Sequence, residues 1–174
     1  MSKLKIYVAR AMTGRIKAEV VAEAKADKKF LEDAGFYVLD PVTSEGVEET
    51  KDTLQSPKNL MDVYWPRDKQ MIREAHAVFV MSPNVGSLGC IREYGYSRYF
   101  LWKKTTTIFP EGSLPKEGAV CYYEDDYVTD SLIDAVGDLL KSHDTPWKRF
   151  KWRVSIYKKS LAKAVAYKFM EWFK

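Results

Sequence analysis

The run Ala77-Val78-Phe79-Val80-Met81 constrains this chain more than any other segment. An uninterrupted apolar stretch of strand length has no polar face to turn toward water. It belongs to a strand buried on both sides, as in a parallel sheet covered by helices. The neighbouring segments agree. Lys5-Ile6-Tyr7-Val8-Ala9 opens the chain as a β-rich run, and Thr13-Gly14 breaks it. From Arg15, apolar residues at Ile16, Val20, Val21, Ala24, Phe30, Leu31 and Ala34 recur at helical spacing, and Gly35 stands where a C-terminal cap belongs. Phe36 to Leu39 reads as a second strand, stopped by Asp40-Pro41 because proline cannot donate to a ladder.

Residues 42–58 are polar, acidic and bounded by prolines, which predicts a loop. A helix is expected from Asn59 to Ala75, its main part starting at Pro66, and another from about Cys90 to Trp102. Thr105 to Phe109 and Ala119 to Tyr123 read as fourth and fifth strands. Asp130 to Leu140 reads as a closing helix capped by Thr129 or Asp130. Strands alternating with helices at such intervals predict an α/β, Rossmann-like (flavodoxin-like) parallel sheet of about five strands with helices on both faces. Residues 1–144 form that domain, and residues 145–174 a separate C-terminal basic amphipathic helix. Ligands of such sheets bind at the carboxyl ends of the strands. That directs attention to the loops at 10–15, 82–89 and 110–114.

Cys90 and Cys121 lack metal-ligand spacing and read as the reduced thiols of a cytoplasmic protein. His76 and His143 are isolated, so neither a metal nor an organic cofactor is implied. The opening residues have no apolar region of the kind a signal peptide needs. Charge is unevenly spread. From Thr145 onward nine lysines and arginines stand against Glu171 alone; this +8 within a chain of net +4 leaves residues 1–144 at −4.

The stretch from Ser82 to Glu93 carries the most chemistry. Gly86, Ser87 and Gly89 lie between a buried strand and a helix, where backbone N–H groups suit a phosphate and Ser87 adds a donor. Glu93 follows about one helical turn later. It reads either as a first-turn acid complementing the helix dipole or as a nucleophile or base acting on another part of the same substrate. Asp62 and Asp68 flank the start of the preceding helix with Arg67 beside Asp68; Asp62 reads as a cap, and Asp68 as first-turn acid or catalyst. Tyr7 is a packed aromatic with its hydroxyl near the crevice. Arg10 and Arg15 bracket the small-residue turn containing Gly14 and suit a carboxylate or phosphate.

Ile6-Tyr7-Val8-Ala9-Arg10-Ala11-Met12-Thr13-Gly14, then Arg67-Asp68, the strand to Met81, and Ser87-Leu88-Gly89 followed by Glu93 and Gly95 resemble the nucleoside 2-deoxyribosyltransferase superfamily over residues 4–103. The Ser-Leu-Gly triplet is similar to that of its 2'-deoxynucleoside 5'-monophosphate N-glycosidases and related phage-type proteins. The resemblance implies that Glu93 attacks C1', Asp68 assists at the leaving base, Tyr7 positions Glu93, and Ser87 holds the 5'-phosphate. Gly89, Gly14, Arg10, Arg15 and Arg67 complete the expected substrate-binding set. Arg10 stands where these families have glycine. The expected reaction is hydrolysis of a (deoxy)nucleoside 5'-monophosphate at its glycosidic bond. The alternatives are a transferase moving deoxyribose between bases and a non-catalytic nucleotide- or partner-binding protein working through its tail.

In that tail Trp147, Phe150, Val154, Tyr157, Leu161, Val165, Phe169 and Trp172 recur at steps of three or four, with cations over much of the rest. Such a helix can lie on an anionic membrane, hold nucleic acid, or pack on the body or another subunit. Packing is the expected use, and the resemblance implies a homo-oligomer acting on a small-molecule nucleotide.

Overall fold

The computed structural model describes residues 3–12, 14–44, 64–83, 87–113, 127–143, 145–151 and 154–155. Five parallel strands form one sheet in the order β2-β1-β3-β4-β5. They are β1 (Lys5–Arg10), β2 (Tyr37–Leu39), β3 (Ala77–Met81), β4 (Lys104–Ile108) and β5 (Tyr127–Thr129). The helices are α1 (Lys17–Asp33), α2 (Trp65–Glu74), α3 (Leu88–Gly95), which runs on as a wider π-type turn over Tyr96–Phe100, and α4 (Leu132–His143). This is the flavodoxin-like order. The chain reverses its direction of travel across the sheet between β1 and β3, so a crevice opens beyond their carboxyl ends.

The side-chain period of two assigns each strand residue to a face. On one face Ile6, Val8, Phe79 and Met81 cluster with Leu31 of α1 and with Ala135, Val136 and Leu139 of α4. On the other, Tyr7, Ala9, Val78 and Val80 cluster with Ile72 of α2 and with Cys90 and Tyr94 of α3. All five residues of β3 are buried, as its composition requires. The β-branched threonines of β4 keep that strand buried although its sequence is polar.

Several boundaries differ from those expected. α1 ends as the sequence predicts, with Gly35 at φ +93° and the Phe36 amide donating back to the Leu31 carbonyl. Pro66 sits in the first turn of α2, where a missing N–H costs nothing. The expected fifth strand at 119–123 and Asp62 lie outside the described residues, and the fifth strand described is Tyr127–Thr129. α4 begins later than expected because Thr129 belongs to β5. Ser131 caps the helix instead, its hydroxyl accepting from the Asp134 amide at 3.2 Å.

Candidate functional site

Tyr7, Asp68 and Glu93 come from β1, α2 and α3, three elements on the same side of the sheet. Odd-numbered residues of β1 face α2 and α3, so Tyr7 is directed at them by strand parity alone. Its ring is fully buried. Asp68 is buried in the first turn of α2, and Glu93 is half-buried near the end of α3. Glu93 is therefore no first-turn acid of its helix; α3 begins at Leu88 with Ser87 as N-cap, and its first turn holds no acid.

The three groups are electrostatically one site. Burial pushes the Glu93 carboxyl well above the usual carboxylate range, and the charge of Asp68 pushes it further. The Tyr7 hydroxyl and the Arg67 guanidinium act the other way, favouring the Glu93 carboxylate. Asp68 is also raised by burial, against the pull of Arg67, whose Nε and Nη2 donate to Asp68 Oδ1 at 3.1 and 3.0 Å. Tyr7 is held well above its ordinary value by burial first, then by the charges of Glu93 and Asp68. The approach of its hydroxyl to Glu93 falls short of a well-formed hydrogen bond, yet is near enough to couple the two groups. A buried carboxyl pair of this kind carries one proton more readily than none.

Ser87 is buried at the head of α3, and its hydroxyl makes no capping bond to the helix. That hydroxyl is left for another acceptor. Asn84, Val85 and Gly86 lie outside the described residues. Just before them Ser82 adopts φ +46°, an unfavourable backbone for a residue with a Cβ, at the carboxyl end of β3. Gly14, at φ +78°, supplies the left-handed turn after β1, and Gly89 lies in the first turn of α3.

The two arginines of the first loop are turned elsewhere. Arg10 has the parity of Ile6 and Val8, so its side chain enters the α1 side of the sheet. There Nη1 pairs with Asp27 at 2.9 Å and Nη2 lies 3.7 Å from Asp40, with the Arg10 and Asp40 side chains each 1% exposed. Arg15 pairs with Glu23 of α1 at 2.5 Å. The structure thus couples Tyr7, Asp68, Arg67 and Glu93, places Ser87 at the head of α3, and engages Arg10 and Arg15 with α1. Asp40 was not singled out in the sequence. Its charge acts on both Tyr7 and Glu93, while burial raises its own pKa. The signal available for it was its position, two residues after the inward-facing Val38 at the end of β2. Among the described residues no group of three or more His, Cys, Asp or Glu could hold a metal ion.

No protein-family model and no curated protein matches the chain. Among solved structures it is similar to a 2-deoxyribosyltransferase from Bacillus psychrosaccharolyticus, at 21% identity and TM-score 0.54, covering 76% of this chain and 90% of that one. It is also similar to a conserved protein from Enterococcus faecalis V583, at 10% identity and TM-score 0.59, over 80% and 99% of the two chains. A CMP N-glycosidase from Clostridium botulinum matches at 14% identity and TM-score 0.47, over 78% and 96%. At these identities the likeness is one of fold. Fold and site together define a flavodoxin-like α/β protein with a buried, tyrosine-flanked carboxyl pair at its topological switch point.

Proposed function

We propose that the chain is an N-glycosidase that hydrolyses a (deoxy)nucleoside 5'-monophosphate to free base and sugar phosphate. The observation that carries this reading is the mutual coupling of Glu93, Asp68 and Tyr7, side chains from three elements, at the crevice where α/β sheets of this order bind ligands. The fold shared with a 2-deoxyribosyltransferase supports it.

Glycosidic bonds break through an oxocarbenium-like centre, which one carboxylate stabilises and traps while a second carboxyl protonates the leaving group. Glu93 attacks C1', the C1'–N bond breaks, and the proton of Asp68 goes to the departing nitrogen. Water then attacks C1', Asp68 takes its proton, and the Glu93–sugar bond breaks. Tyr7 positions Glu93, Arg67 orients Asp68, and the uncommitted Ser87 hydroxyl donates to the 5'-phosphate. Burial raises both carboxyls and Arg67 opposes the rise in each, so the pair can supply one carboxylate for attack and one acid for the leaving base.

The covalent step is tested by incubating the chain with a 2'-deoxy-2'-fluoro nucleoside 5'-monophosphate and mapping the adduct by mass spectrometry. A fluorosugar phosphate on Glu93, absent in Glu93→Gln, supports the reading, whereas adducts at another residue reassign the nucleophile. Adding a second free base separates hydrolase from transferase, since only the transferase makes a new nucleoside or nucleotide.

A further inference from the structure

The segment after α4 is helical over residues 146–151 and 154–155 and turns an apolar stripe to solvent. Trp147 is 61% exposed, Phe150 56% and Val154 37%, at the i, i+3, i+7 spacing of one helix face. Trp147 and Phe150 stack at 5.6 Å, and the Lys151 ammonium lies 5.2 Å from the centre of the Trp147 ring. None of the three joins either core cluster of the described residues. In sequence the spacing continues through Tyr157, Leu161, Val165, Phe169 and Trp172, which lie outside the described residues. The same thirty-residue stretch holds nine cations and one acid.

We infer that the helical stretch at residues 146–151 and 154–155 is a surface anchor for an anionic lipid bilayer, with Trp147, Phe150 and Val154 inserted and Arg149 and Lys151 near the phosphates. Charge and apolarity select this occupant together. A second copy of the segment meets the apolar demand but brings two strongly cationic stretches of chain into contact. A nucleic acid meets the charge but leaves Val154 in water. An anionic bilayer satisfies both, since aromatic rings favour the headgroup level and lysine stems reach past them to the phosphates. Among the described residues no helix is long and apolar enough to cross a membrane. The rest of the chain, at −4, gains nothing from the same surface, so the attraction falls on this segment.

The test is co-sedimentation of the full chain with phosphatidylcholine vesicles and with vesicles in which part of that lipid is phosphatidylglycerol. Binding is expected only to the second, and raised salt should weaken it. Lys151→Gln should lower the partition coefficient about five-fold, the effect of one cation near such a surface. The pair Trp147→Ala and Phe150→Ala should lower it at least about ten-fold. Ile133→Ala, an equally exposed apolar residue on α4, should leave it unchanged. Circular dichroism confirms that each variant is folded. Absence of binding to anionic vesicles overturns the inference, as does binding indifferent to the Trp147/Phe150 pair. So does a lipid-free oligomer that this pair dissociates, which assigns the stripe to a second copy. Single-stranded oligonucleotide binding lost in the pair, without vesicle binding, assigns it to nucleic acid.

Discussion

Replacing Tyr7 by phenylalanine removes one oxygen from a fully buried ring and leaves the packing of β1 against α2 and α3 intact. The hydroxyl does two opposing things. It has no well-formed partner, so burying it costs stability, typically about 1–3 kcal/mol for an unsatisfied group. It also faces Glu93 and favours that carboxylate, pulling its pKa down against burial and Asp68. A full hydrogen bond to a charged group is worth about 1.5–3 kcal/mol, or roughly one to two pKa units. An approach short of that geometry is worth less than a full bond, with the same sign. Tyr7→Phe should therefore be as stable as the parent or more so, yet catalytically worse. Removing a group that favours ionised Glu93 raises its pKa, so the acid limb of kcat/KM, where Glu93 must lose its proton, should move to higher pH. The assay is a pH profile of base release beside a urea melt. A variant that loses stability and keeps the parental acid limb would make Tyr7 a packing residue and refute the positioning role.

Three further outcomes follow from the same geometry. Glu93→Gln should stabilise the fold in a pH-dependent way. A carboxyl whose folded pKa is raised binds its proton more tightly in the native state, so stability falls as pH rises from the ordinary carboxylate range through the raised value. The gain from glutamine should be absent below about pH 4 and grow by about 1.4 kcal/mol per unit of the shift above it, read by melts across pH. Arg10→Ala leaves Asp40 buried without its cation and should cost about 3–5 kcal/mol, largely recovered by adding Asp40→Asn; a stable Arg10→Ala with weakened nucleotide affinity would make Arg10 a phosphate ligand instead. Ser87→Ala should raise KM for monophosphates about ten- to hundred-fold and leave nucleosides unaffected. Its melting should barely change, because the hydroxyl does not cap α3.

The central strands were legible because burial on both faces leaves a mark in composition: β1 and β3 are apolar runs, and the glycine after α1 marks its end. β5 was not, since Tyr127–Thr129 is three residues long at the sheet edge, and Ala119 to Tyr123 carries more β-forming side chains. The π-type turn at Tyr96–Phe100 leaves no periodic trace, and Trp102, at φ +53°, lies inside the helix expected from spacing. For the candidate site, Tyr7, Asp68, Ser87 and Glu93 were proposed from motif order. The orientation of Arg10 was available from parity, two residues on from Val8, but a charged residue at a strand's end was read as facing ligand. Asp40 became visible only in three dimensions, because its significance lies in the buried arginine across the β1/β2 edge.

Glycosidic cleavage by Glu93 is measured directly as free-base release. Ribo- and deoxyribonucleosides and their 5'-monophosphates are incubated with the parent chain and with Glu93→Gln, and the bases are separated by chromatography. Release from monophosphates, abolished in the folded variant, is the result predicted. No release from any member of the panel, with or without an added acceptor base, contradicts it.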